Sequence, residues 1–220
     1  PSRDTGEGLM AIENINPVKS PRAAWQYDPG ERRVRRAPNL AFDTPDLPLN
    51  VIDDFDIFSG SPERYDWKLV GKKEMYVPYN NNEVNSPRRD LKASPPVGFL
   101  NAERLRYELH RVWVVEATLK EGKRHLYAKR VFYIDEDSWQ ASVIDHYDGR
   151  GELWRVAEAH NMQFYDQNVP WYAIETLYDL LSGRYLALGL TNEEENPYEF
   201  GVERRSRDYT PAALRRAGTR

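Results

Sequence analysis

Between residues 105 and 160 apolar and polar residues alternate with a period of two, the repeat of a β-strand with one face buried. The stretches LRYELHRVWVVEATL, RHLYAKRVFYI, WQASVIDHY and ELWRVAEAH predict four strands, and KEGK, DEDS and DGRG between them supply turn chemistry. Short connections between consecutive strands predict an antiparallel meander. If each turn holds an even number of residues, odd positions pair with even ones across every hairpin, and one face can be followed through all four strands. That face carries Tyr107, Leu109, Arg111, Trp113, Val115, Ala128, Arg130, Phe132, Ile134, Trp139, Ala141, Val143, Asp145, Tyr147, Trp154 and Val156. The other carries Glu108, His110, Glu116, Lys129, Tyr133, Gln140, Ser142, His146 and Arg155, relieved by a few valines and Ile144. The first face is markedly apolar and must be covered by the rest of the chain, by a partner or by a ligand.

The remaining pattern is more broken. AAWQYDPGERRVRRAP predicts a hairpin turning at Asp28, Pro29 and Gly30, and its basic run suits a solvated strand face better than an anion site. Residues 37–64, rich in Pro and Asp with scattered Leu, Ile and Phe, read as a long connection packed onto something. YDWKLVGKKEMYVPYNNN predicts a further strand pair, with Gly71 as a bulge or turn. Residues 80–100, rich in Asn, Ser and Pro, form a second long connection of the kind that often carries function. In NVPWYAIETLYDLLSGRYLALGLTNEE the positions Ile174, Leu177, Tyr178 and Leu181 also suit a helix, but Ser182 and Gly183 favour a hairpin. A short terminal helix is predicted in DYTPAALRRAGTR, with Thr210 as N-cap, Pro211 in the first helical position and Gly218 as the stop.

Composition narrows the class. The 220 residues are 40% hydrophobic and 30% charged, which fits neither a membrane-embedded nor a disordered chain. A net charge of -4 argues against general nucleic-acid binding. With no cysteine, disulfides and thiolate chemistry are excluded. No apolar run reaches the roughly 18 residues of a membrane span. The chain opens at Pro1, which suggests a processed product or an excised fragment.

Candidate chemistry is sparse. The four histidines, His110, His125, His146 and His160, contain no i, i+4 pair; His110 and His146 with Glu108 or Glu116 offer a surface metal cluster, although exposed strand polarity explains them as well. There is no G-x-S-x-G elbow, P-loop or dinucleotide fingerprint, so no catalytic residue is named. The apolar face itself is the candidate site, with Trp113, Phe132, Ile134, Trp139, Val143 and Trp154 as lining. An ordinary core is the simpler account of it. Arg111, Arg130 and Asp145 on the same face sharpen the choice: a buried Arg130–Asp145 pair on one account, recognition of a polar head by Arg111 or Arg130 on the other.

Several long strings, YDWKLVGKKEMYVPYNNN, LRYELHRVWVVEATLKEGKRHLYAKRVFYIDEDSW, DHYDGRGELWRVAEAH and ETLYDLLSGRYLALGLTNEE, closely resemble the proteobacterial family known as domain of unknown function 1329, over at least residues 65–195. That family is in turn similar to the LolA/LolB lipoprotein carriers. The recurrent strand, Asp-containing turn and D-x-x-G turn of those carriers are echoed in VFYIDEDSWQASVIDHYDGRGELWRV and AWQYDPGERRVRR. The resemblance implies a mainly β fold over 1–220, a curved antiparallel sheet or incomplete β-barrel with long loops and few helices, read as a single domain of a longer exported protein. It implies a non-enzymatic periplasmic protein that binds or transfers a lipid, an acyl chain or an acylated protein, without cofactor or metal. A scaffolding role, docking an envelope membrane protein through the loops at residues 80–98, is the alternative.

Overall fold

The computed structural model describes residues 6–14, 16, 19, 20, 22–37, 42–45, 47–84, 99, 100, 102–192, 194, 195 and 197–218. Where the sequence suggests a single domain, contacts divide the chain into two compact units, Pro1–Ala41 with Glu199–Arg220, and Phe42–Tyr198.

The first unit is a three-stranded antiparallel sheet, β1 (Gly8–Ile12), β2 (Ala23–Asp28) and β3 (Arg33–Ala37), in that order, with an α-helix, α1 (Pro211–Gly218), packed on it. Asp28 Oδ1 accepts the backbone N–H of Gly30 and Glu31 at 2.8 and 3.1 Å, so the β2–β3 turn satisfies its own donors. Thr210 Oγ1 accepts the Ala213 N–H at 3.2 Å and caps α1. The arginines Arg33, Arg35 and Arg36 of β3 are exposed.

The second unit is a seven-stranded, wholly antiparallel meander: β4 (Tyr65–Pro78), β5 (Tyr107–Leu119), β6 (Lys129–Asp135), β7 (Ala141–Tyr147), β8 (Leu153–Phe164), β9 (Val169–Asp179) and β10 (Arg184–Leu188). The strand order runs from β10 to β4, so the sheet is open rather than a closed barrel. YDWKLVGKKEMYVP is one long strand rather than a pair: Gly71, at φ 148°, forms a bulge against β5 that a residue with a side chain would adopt only under strain. Several turns again close on aspartate: Asp148 Oδ1 binds the N–H of Arg150 and Glu152, Asp179 Oδ1 those of Leu181 and Ser182, and Asp135 Oδ2 that of Ser138.

Two bulges change the predicted register. The pairing of β6 with β7 slips between Tyr133 and Ile134, and that of β7 with β8 slips between His146 and Tyr147. One extra residue exchanges the faces of everything beyond it. Phe132 therefore lies opposite Ile144 and Arg130 opposite His146, while Val143 and Asp145 pair with Tyr133 and Val131 on the other face.

The core lies where residues 42–64 pack on the sheet. Leu49 and Ile57 of that segment join Tyr65, Ala117, Phe132, Ile144, Ala157 and Leu177 of the strands. The long connection read from the sequence is thus the cover of the apolar face. Ile174 belongs to a second, smaller cluster with Val84 and Leu100. Residues 85–98, where the second functional loop is expected, lie outside the described residues.

Candidate functional site

The cover is incomplete. Beside the turn at Asp56, Ile57 and Phe58 an open cavity of about 350 Å³ reaches down to the sheet. Its apolar lining comes from Ile57, Phe58, Trp67, Phe132, Ile134, Trp139, Ala141 and Tyr172, and its polar lining from Asp56 and Gln140. The rings interlock: Phe58 meets Phe132 and Trp67 nearly edge-on at 5.2 and 5.9 Å, and Trp67 lies 5.3 Å from Phe132. Trp139 is 71% exposed at φ 60°, a left-handed backbone unusual for a bulky residue.

The turn of the cover is held from below. Asp56 and Ile57 are both left-handed, at φ 52° and 65°. Tyr172 Oη donates to Asp56 Oδ1 at 2.5 Å. The Glu175 carboxylate accepts the backbone N–H of Ile57 and Asp56, and burial, reinforced by the charges of Asp56 and Asp54, pushes Glu175 from 4.5 up to about 7.

Next to the cavity lies a buried ion network. Arg130 reaches Asp53 with two hydrogen bonds, Nη2 to Oδ1 at 2.6 Å and Nη1 to Oδ2 at 3.1 Å, and gives a further one to Tyr65 Oη at 2.7 Å. Its guanidinium also sits 5.1 Å from the Phe58 ring and 4.9 Å from that of Tyr127. Tyr127 Oη donates to Asp54 Oδ2 at 2.9 Å and accepts from Arg155 Nη1 at 2.9 Å. The Tyr127 N–H donates to Nδ1 of His125, so the proton that His125 shares with Asp53 Oδ1 is on Nε2. Burial raises the Asp53 carboxyl, but the His125 hydrogen bond and the Arg130 charge outweigh it and hold it at about 2. His146 is wholly buried and stacks on Tyr127 at 4.3 Å; burial, with Arg130 nearby, holds it well below its ordinary 6.5.

Of the residues chosen from the sequence, the structure gathers Phe132, Ile134 and Trp139 at the cavity. Trp113 pairs with Ile134 but is covered by Lys72, whose Nζ lies 4.0 Å from its ring. Val143 faces the other way, beyond the β6–β7 bulge. Trp154 joins the network instead, donating to Asp179 Oδ2 at 3.2 Å and lying 4.1 Å from the Arg155 guanidinium. Arg130 pairs with Asp53 rather than Asp145, which accepts from Tyr133 Oη on the opposite face. Arg111 is exposed and bound to Glu136. His110 and His146 face opposite sides of the sheet, because Val112 and Arg130 do. His110, Asp135 and Asp137 do have metal-ligand spacing, but the two Asp135 oxygens already serve His110 Nδ1 and Ser138. Nothing in the residue pattern joins Asp53, Asp54, Tyr127 and Arg155 into one network; the Pro- and Asp-rich composition of residues 37–64 is the one signal that touches the first two.

Comparison with known proteins decides the family. The model described as "Protein of unknown function (DUF1329)" matches residues 1–215. The chain belongs to the DUF1329 family. A relative, Uncharacterized protein PA3922 of Pseudomonas aeruginosa, is 58% identical over 223 residues; this DUF1329 chain is covered completely but spans only 49% of that protein. Among solved structures, a DUF1329 family protein from Desulfovibrio piger matches with a TM-score of 0.58 at 14% identity, over 97% of this chain and 73% of that one. A domain from Vibrio parahaemolyticus named for outer membrane lipoprotein sorting matches with a TM-score of 0.55 at 16% identity, over 98% of this chain and 74% of that one. At such identities the likeness is one of fold. The DUF1329 chain has the open, curved antiparallel sheet that its resemblance to LolA/LolB carriers implied.

Proposed function

We propose that this DUF1329 protein is a non-enzymatic carrier of a hydrophobic molecule at the cell envelope, and that the cavity beside Asp56–Phe58 holds its cargo. The observation that carries the reading is an open pocket of about 350 Å³ walled by aromatic and aliphatic side chains. A volume near the lower end of the roughly 300–1,000 Å³ common for ligand sites suits a single hydrocarbon chain. Burial of that chain at about 25 cal/mol per Å² supplies the affinity. The sheet shared with a domain named for lipoprotein sorting supports the same reading and, with it, a periplasmic location.

Replacing Ala141 by Trp fills the cavity from its floor. In a variant that retains the wild-type circular dichroism, affinity for a hydrophobic fluorescent probe is expected to drop at least tenfold. Trp113→Ala, on the same face but outside the lining, stays within about twofold. Unchanged affinity in folded Ala141→Trp would remove the cavity as the cargo site.

One observation favours a scaffolding role. Leu69 and, across the charged Lys72, Glu74 and Arg111, Tyr76 and Leu109 share a face of the β4–β5 ribbon and are 61, 67 and 57% exposed, an interrupted apolar row that a membrane-protein partner could cover. If that row is the docking surface, the double variant Leu69→Asp, Leu109→Asp loses a complex that wild-type protein retains on purification from envelope extracts; retention of the complex sinks this second reading.

A further inference from the structure

Around the cavity stand five aromatic side chains, Phe58, Trp67, Phe132, Trp139 and Tyr172, and one acid, Asp56. The polar edges of the rings are turned to the protein: Trp67 Nε1 donates to the Pro62 carbonyl at 2.7 Å, and Tyr172 Oη to Asp56 Oδ1 at 2.5 Å. The amide of Gln140 donates likewise to the Pro170 carbonyl at 3.2 Å. The Trp139 indole is then the one uncommitted side-chain donor of the described lining. Trp67 and Trp139 are 40 and 71% exposed, and with the Trp67 N–H engaged, the part of that ring left open is carbon.

The charge at this opening has one sign. Asp53 and Asp54 are answered by Arg130, but Asp56 is exposed and takes its hydrogen bond from a neutral hydroxyl. No cation belongs to the described lining. Aromatic faces carry the negative end of a quadrupole, so the rings reinforce the carboxylate rather than oppose it. An anionic head would meet Asp56 with a single side-chain donor to compensate it. A primary ammonium would lose its water without acceptors for all three of its protons. A quaternary ammonium has no N–H to satisfy and spreads its charge over methyl groups, so it packs on rings as hydrocarbon while keeping its attraction to Asp56.

We propose that the cavity recognises an amphiphile by a quaternary ammonium head, held against Asp56 and the aromatic walls while its hydrocarbon occupies the aliphatic part of the lining. Such a head deepens the carrier reading, on which it rests, by naming the chemistry of the cargo.

Three probes of equal chain length separate charge from apolar burial: decyltrimethylammonium, the neutral decyldimethylphosphine oxide and decyl sulfate, each below its micellar concentration, titrated by calorimetry at pH 7.5. The ammonium is expected to bind at least tenfold more tightly than the phosphine oxide, and the sulfate more weakly than both. In Asp56→Asn, which keeps an oxygen for the Tyr172 hydroxyl, the ammonium falls to within about twofold of the phosphine oxide. Trp139→Leu keeps an apolar wall but removes the ring, and weakens the ammonium about fivefold. In both variants the phosphine oxide binds as in wild type and so reports an intact cavity. An ammonium no tighter than the phosphine oxide, a sulfate equal to the ammonium, or an ammonium advantage undiminished in either variant overturns the proposal and leaves the carrier reading in place. If none of the three binds, the carrier reading itself fails.

Discussion

Arg130→Met is expected to lower the free energy of unfolding by about 3–5 kcal/mol, measured by urea denaturation at pH 7.5. Arg130 is 1% exposed and Asp53 is fully buried. Removal of the guanidinium leaves the Asp53 carboxylate without its bidentate partner in a site that water does not reach, and a stranded buried charge is among the costliest single changes. The second arm identifies the cause. A paired substitution, Arg130→Met with Asp53→Leu, removes both charges together and should recover most of the loss, because replacing a whole buried pair by apolar groups is often close to neutral. A single variant that loses less than about 1 kcal/mol, or a double variant no better than the single, would show that the pair does not act as a buried unit.

Arg130 also marks the boundary between what the chain reveals as a string and what it reveals only when folded. The meander, its hairpins and the helix at Pro211–Gly218 are local, and alternation with Asp- and Gly-bearing turns encodes them. Phe132 and Ile134 could be assigned to the cavity face because they precede the β6–β7 slip or pair directly across β5. Val143 could not, since the bulge that turns it over leaves no mark in DEDSWQAS beyond an ordinary polar turn. The partner of Arg130 was out of reach for a different reason. Asp53 is 77 residues away in a segment without periodicity, and an aspartate in a Pro-rich connection is ordinarily solvated. Trp67 and Tyr172 likewise reach the cavity from strands whose alternation says which residues share a face but not what covers that face.

The second large effect is a pair of opposed pH dependences. Glu175 has a folded value near 7 against its ordinary 4.5, because burial and the neighbouring Asp56 and Asp54 disfavour its charge. The fold therefore binds this proton more tightly than the unfolded chain. Its contribution to stability is complete below about 4.5 and is lost as pH rises through about 7. His146 has the opposite sign. Burial and Arg130 hold it below its ordinary 6.5, so its contribution is complete above 6.5 and is lost as pH falls. Between pH 5 and 8 the two slopes offset each other in the wild type, and single substitutions expose them. With Glu175→Gln, the unfolding free energy at pH 8 minus that at pH 5 should rise by about 2 kcal/mol; with His146→Phe, which keeps a ring against Tyr127, it should fall. Urea midpoints at the two pH values decide the matter, and shifts of the same sign in both variants would contradict the assignment.

The cover at residues 42–64 has a consequence for the order in which the molecule assembles. The pairings among β6–β10 close short loops, whereas the bonds from Asp53 and Asp54 to Arg130 and Tyr127 bridge 73 to 77 residues. Loop-closure entropy sets long-range contacts behind local ones, and an Asp pair has nothing to grip until Arg130 and Tyr127 have been positioned by neighbouring strands. The sheet is thus a template and the cover a late arrival on it. The cavity exists only between the two, so it is complete only when both are in place.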